Sequence, residues 1–192
     1  MVFKLLIFLL FLIKSSYAHE LRPAIANLNI YEKDNITNAT LSIQLNIEAI
    51  IAEINMDHSN TKESKVSDQY ENLRTMSAIE LLKKFNNKIT NLQNKIYLTS
   101  ANSNYGLLLL NVDIPEVGNT GIIRDTIINF DIKDVKDENL KFSWDKNLGS
   151  IILRVNSKNS EDLYSKLIES GNKSDWFSAT NKREEKLIDN IK

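Results

Sequence analysis

Two histidines occur in the 192 residues, His19 and His58, and cysteine does not occur at all. Soft or borderline metal chemistry therefore rests on these two imidazoles and the groups beside them. His19 lies in KSSYAHELRPA (14–24), after an apolar run and two small residues, Ser16 and Ala18. Cleavage after Ala18 would make His19 the leading residue of an exported chain. A free α-amine titrates at about 7.7–8.0, so a cation can displace its proton close to neutrality. The amine nitrogen and the imidazole Nδ1 can then close a chelate ring on one ion, with Glu20 beside them as an oxygen donor. Nitrogen donors of this kind suit Ni(II), Cu(II) and Zn(II), copper being strongest in affinity order. His58, in NMDHSN, has Asp57 next to it and Met56 one residue further, an oxygen and a soft sulfur donor. The expected metal ligands are His19, Glu20, Asp57 and His58, provided the fold joins the two segments. The plainer reading is two solvated histidines, one at a terminus and one in a polar loop.

Other chemistry is thin. Without cysteine there is no thiolate zinc site, no iron–sulfur cluster and no thiol nucleophile. No serine sits in a GxSxG motif, and there is neither a P-loop nor a dinucleotide fingerprint. The formal charge is −1, and losing Lys4 and Lys14 with a leader makes the remainder more acidic. A mildly acidic chain without a basic stripe argues against nucleic acid as the partner. Asp113, Asp125, Asp131 and Asp145 read as solvated acids at turns or strand ends, and Arg124–Asp125 as a local pair. Trp144 reads as a core or sheet-edge aromatic, and Arg22–Pro23 as the segment that sets the start of the first strand. No catalytic residue is expected.

The elements that must position these groups follow from periodicity. Residues 1–18 read as a signal peptide: a basic start, LLIFLLFLI (5–13), then small residues. Nine apolar residues rise about 14 Å as a helix, too short for about 30 Å of hydrocarbon. Ile25, Leu28 and Ile30, with Ala26 among them, mark one strand, and Leu41, Ile43, Leu45 and Ile47 a second. EKDNITNA between them is a turn, so the pair reads as a hairpin. EAIIAEI (48–54) either extends the second strand or leaves it. Tyr70, Leu73 and Met76 keep a helical spacing, and Ser77-Ala78-Ile79-Glu80 is a capping box. Ile79, Leu82, Phe85 and Ile89 then mark a helical face, giving two short helices over 68–88, or one broken at Ser77. KIYLTS, YGLLLLNVDI, the alternating residues Ile123–Ile132, LKFSW and SIILRVNS read as further strands. EDLYSKLIES and DWFSA are ambiguous. The fold expected is a mainly β, antiparallel, Ig-like sandwich over 19–178 with a short helical insertion. Residues 179–192 read as a linker or C-terminal helix, with Thr180 as a cap.

HELRPA (19–24), DIPEVGNT (113–120), RDTIINF (124–130) and FSWDKNLGSIILRV (142–155) together resemble the extracytoplasmic N-terminal region of HupE/UreJ-type membrane proteins. These are hydrogenase and urease accessory proteins proposed to move nickel or cobalt across the inner membrane. The resemblance runs from His19 to about Phe177. It implies a non-enzymatic periplasmic domain that assists capture of nickel or another divalent metal. It also implies a transmembrane permease domain as partner and a tether to the inner membrane. In that family a block of transmembrane helices follows the exported domain, here beyond about Lys192. A leading histidine with a second histidine is also similar to the histidine brace of exported copper proteins, either carriers or oxidases. A third reading is a structural or interaction domain without a metal.

Overall fold

Alternation decides which side of each strand is buried, and in this chain it builds the wall of one core. In the computed structural model, which describes residues 22–56, 66–136, 139–157 and 164–179, Pro23 leads into β1 (Ala24–Lys33). Ala24, Ala26, Leu28 and Ile30 are buried along β1, while Ile25 faces outward, the opposite side from that expected. Ile25 and Leu28 are an odd number of residues apart, so a strand cannot bury both on one face. β1 turns at Asp34–Asn35 into β2 (Ile36–Leu45). Both turn residues have positive φ, 54° and 59°, the twist that a two-residue hairpin needs.

β1 and β2 are the centre of a six-stranded sheet. Its other members are β5 (Leu108–Asp113), β6 (Thr126–Ile132), β8 (Ile151–Ser157) and β9 (Tyr164–Ile168), in the order β5-β6-β2-β1-β8-β9. Register stacks the buried residues into rungs: Ile128, Ile43, Ala26 and Leu153 form one, Phe130, Leu41, Leu28 and Val155 the next. A four-stranded sheet, β10-β7-β3-β4, supplies the opposite wall. It comprises β3 (Ile96–Thr99), β4 (Asn104–Tyr105), β7 (Asn139–Trp144) and β10 (Phe177–Ser178). Ile96, Leu98, Leu140, Phe142, Trp144 and Phe177 from this sheet join the same buried cluster.

The protein is thus mainly β and built of two sheets, as its periodicity indicates. Among the described residues all strand pairings but one are antiparallel; β1 and β8 run parallel, Ala24 beside Ile151 through Ile30 beside Ser157. A parallel pair needs a long crossover, and no local signal announces one. The two ambiguous segments become β9 and β10, both edge strands.

The helical insertion is larger than predicted and links the two sheets. EAIIAEI leaves the strand rather than extending it, because Asn46 caps a helix, α1 (Ile47–Ile51), its Oδ1 accepting from Ala49 N at 3.1 Å. Then come α2 (Ser67–Arg74), α3 (Ala78–Asn86) and α4 (Ile89–Gln93). The break at Ser77 is real and carries both halves of the capping box: Glu80 N donates to Ser77 Oγ at 3.4 Å, and Ser77 N donates to Glu80 Oε2 at 2.9 Å. The buried face of α3 is Leu81 and Phe85; Ile79 is exposed, so the predicted stripe was rotated by one position. Ser77→Ala is expected to lower stability by about 1 kcal/mol in urea unfolding. The bonds from Ser77 hold the Glu80 carboxyl below its ordinary range. A carboxylate whose folded-state value is depressed contributes above its unfolded value and loses that contribution as pH falls through the folded one. The gap between wild type and Ser77→Ala should therefore narrow in acid.

No helix among the described residues is long and apolar enough to cross a membrane.

Candidate functional site

All four residues expected to hold a metal, His19, Glu20, Asp57 and His58, lie outside the described residues. Their described neighbours, however, meet. Arg22, Pro23 and Met56 together line a cleft of about 210 Å³ whose other walls include Gln44, Ile123 and Asp125. The same three residues line an adjoining recess of about 80 Å³ with Leu148, Gly149 and Ser150. His19 precedes Arg22 by three positions and His58 follows Met56 by two. These spans are at most about 11 Å and 7 Å, so chain length permits both histidines to serve one ion.

Each wall of the cleft has a local cause. Ala24 N donates to Ser150 O at 3.1 Å, the start of the parallel pairing, and this brings the residues before β1 beside those before β8. The 3₁₀ turn Lys146–Leu148 is capped by Asp145, whose Oδ1 accepts from Asn147 N at 2.9 Å. It ends at Gly149, with φ 76° and ψ −160°, a conformation that side chains other than glycine's hardly adopt. Met56 packs against this glycine so closely that a Cβ there would lie 2.7 Å from Met56 Cβ. Trp144 fixes the turn from inside the core, its Nε1 donating to Gly149 O at 2.9 Å.

The leading segment is held by charge. Asp125 Oδ2 accepts from Gln44 Nε2 at 2.9 Å and from Arg22 Nη2 at 3.4 Å. Arg124 and Asp125 are not the local pair that adjacency implied. They have separate partners, and Arg124 enters the protein, where its Nε donates to Glu48 Oε1 at 2.8 Å. Its Nη1 donates to Met76 O at 3.0 Å and to Pro115 O at 3.4 Å, and its Nη2 to Leu73 O at 3.4 Å. One guanidinium thus ties α1, the end of α2 and the loop after β5 together. Next to it Arg74 donates to Ile122 O at 2.8 Å and lies over the Tyr70 ring, 5.5 Å from its centroid. The Tyr70 hydroxyl accepts from Asn46 Nδ2 at 2.7 Å. Burial raises the pKa of that hydroxyl, and the bond from Asn46 partly offsets the shift.

Asp131 does fall at a strand end, next to last in β6, but it is largely buried and paired with Lys133 rather than solvated. Glu48 and Gln44 were not singled out by the sequence, and Arg124 only as the neighbour of Asp125, although a trace existed. Glu48 and Arg124 are charges embedded in apolar stretches, NIEAII and GIIRD, and such charges are buried only when paired.

Among the described residues no group of three or more His, Cys, Asp or Glu side chains is placed to hold a metal ion. The arrangement is a two-sheet, mainly β domain in which one cleft is lined by Arg22 and Pro23 on one side and by Met56 on the other. No family model matches the chain, and no curated protein matches it.

Proposed function

We propose that this chain is the non-enzymatic exported domain of a HupE/UreJ-like protein, acting in the periplasm beside an inner-membrane permease and helping to capture nickel or another divalent cation. One observation carries the reading. The four phrases on which the resemblance rests are far apart in sequence, yet residues from all of them gather at one end of the six-stranded sheet. Arg22 of HELRPA binds Asp125 of RDTIINF; Pro115 of DIPEVGNT accepts from Arg124; and Gly149 and Ser150 of FSWDKNLGSIILRV line the recess beside Arg22. Shared phrases that pack together are what a retained working surface would produce, whereas unrelated matches would scatter. In this reading the amine and imidazole of His19 supply the first two nitrogen ligands, with Glu20, Asp57 and His58 completing the set.

The position of Met56 favours a second reading, a copper carrier with a histidine brace. Its thioether-bearing side chain lines the cleft with Arg22 and Pro23, and a thioether suits Cu(I).

Intact mass of the exported protein reports whether His19 leads the chain. Titration with Ni(II), Cu(II) and Zn(II) is then expected to show binding to wild type and at least about a tenfold loss in His19→Ala, in line with the loss of a chelating ligand. Loss in His58→Ala as well identifies a shared site. Tightest retention of Cu(I), weakened by Met56→Leu, selects the copper reading. Absence of binding by any of these ions leaves a structural domain and ends both.

A further inference from the structure

We propose that the outer face of the four-stranded sheet is a docking surface for the headgroups of an anionic lipid bilayer. The inference is independent of the metal reading, since it rests on the opposite sheet and on other residues. β7 and β10 bury Leu140, Phe142, Trp144 and Phe177, so the alternate residues face outward. On that side Tyr97 of β3 is 47% exposed and Trp176, just before β10, is 51% exposed, large aromatic areas left uncovered on a small sheet. Lys141 Nζ lies 4.6 Å from the centre of the Trp176 ring. Lys173 forms a bridge with Ser143, the residue paired with Tyr97, so a second lysine stands at the same face. Thr99, paired with Lys141, adds a hydroxyl.

The composition of this face matches a bilayer interface in kind. Indole and phenol rings prefer the boundary between headgroup and acyl chain, and lysines extend their ammonium groups to phosphate while their stems cover apolar area. The charge is segregated as well. The chain as a whole is formally −1, yet the paired residues Tyr97, Thr99, Lys141 and Ser143 include no acid. Asp175, beside Trp176, is taken up by Lys166. Each lysine close to an anionic surface is worth a factor of about five in partitioning.

The test uses the exported chain with phosphatidylglycerol-rich and with pure phosphatidylcholine vesicles, read by sedimentation and by quenching of tryptophan fluorescence with brominated lipid. Trp144 is buried, so quenching reports Trp176. The expected result is binding to the anionic vesicles with a quenched Trp176. Sedimentation should fall clearly in Trp176→Ser, which removes the fluorescent reporter itself, and both signals should fall at least about tenfold in Lys141→Glu with Lys173→Glu. All these positions are at the surface, and near-UV circular dichroism from Trp144 verifies that the variants fold. Failure of wild type to bind anionic vesicles overturns the proposal, as does binding that the variants leave unchanged. Binding of a neutral soluble oligosaccharide at Trp176 in place of lipid overturns it also, and assigns the face to a glycan.

Discussion

Arg124→Met is expected to destabilise the protein by about 3–5 kcal/mol, the usual penalty for leaving a buried charge without its partner. That is a large part of the roughly 5–15 kcal/mol that holds a domain folded. Glu48 is 1% exposed, and Arg124 is the ion-pair partner that reaches it. The same substitution also strips donors from the carbonyls of Leu73 and Met76 at the end of α2 and just beyond it. Glu48→Leu alone should cost somewhat less, because Arg124 keeps its carbonyl partners. The double variant should regain part of the loss, since removing both charges removes the desolvation problem but not the orphaned carbonyls. Urea unfolding followed through buried Trp144 measures all three. A loss under about 1 kcal/mol for Arg124→Met would show that water reaches the pair and that the guanidinium is no keystone.

Gly149→Ala is expected to cost about 2–5 kcal/mol, combining a backbone conformation closed to alanine with overpacking. The new Cβ would meet Met56 Cβ at 2.7 Å and Met56 O at 3.1 Å, so the obstacle is backbone and Cβ, with no flexible side-chain end to move aside. Truncating Met56 to alanine should therefore not rescue the variant. Gly118→Ala supplies the control: nothing lies within 4 Å of a Cβ there, and its φ is not positive. That change should stay within about 0.5 kcal/mol of wild type. The two glycines thus separate a conformational requirement from the general effect of adding a methyl group. Because Met56 and Gly149 line the recess beside Arg22, the proposed metal reading adds that Gly149→Ala weakens cation binding at temperatures where the variant still folds.

The local elements of the fold were largely legible. Alternation located β1, β2, β3, β6, β7 and β8, and the Ser77–Glu80 box placed the start of α3 at Ala78. These features depend on residues a few positions apart, where spacing alone decides which side chains share a face. Legibility failed where two local signals competed. EAIIAEI is apolar and β-branched enough for a strand, but the amide of Asn46 stops the strand and begins α1. EDLYSKLIES is nearly as compatible with a helix as with β9, and pairing with β8 settles it as a strand.

The candidate site was less legible. His19 drew attention because a terminal imidazole and amine have their chemistry by adjacency alone. Nothing comparable marked Gln44, Asp125 or Arg22, which matter only in combination. Arg22 and Asp125 are 103 residues apart, and Glu48 and Arg124 are 76 apart.

By itself the sequence determined the β-rich class, the hairpin of β1 and β2, the helix start after Ser77 and the absence of thiol chemistry. Each is a matter of residue type or short spacing. The tertiary structure alone decided that β8 lies parallel to β1, that Arg124 turns inward to Glu48, and that Arg22 and Met56 share a cleft. Such pairings have no local trace, because burial and charge complementarity select them only after distant segments have been packed into one core.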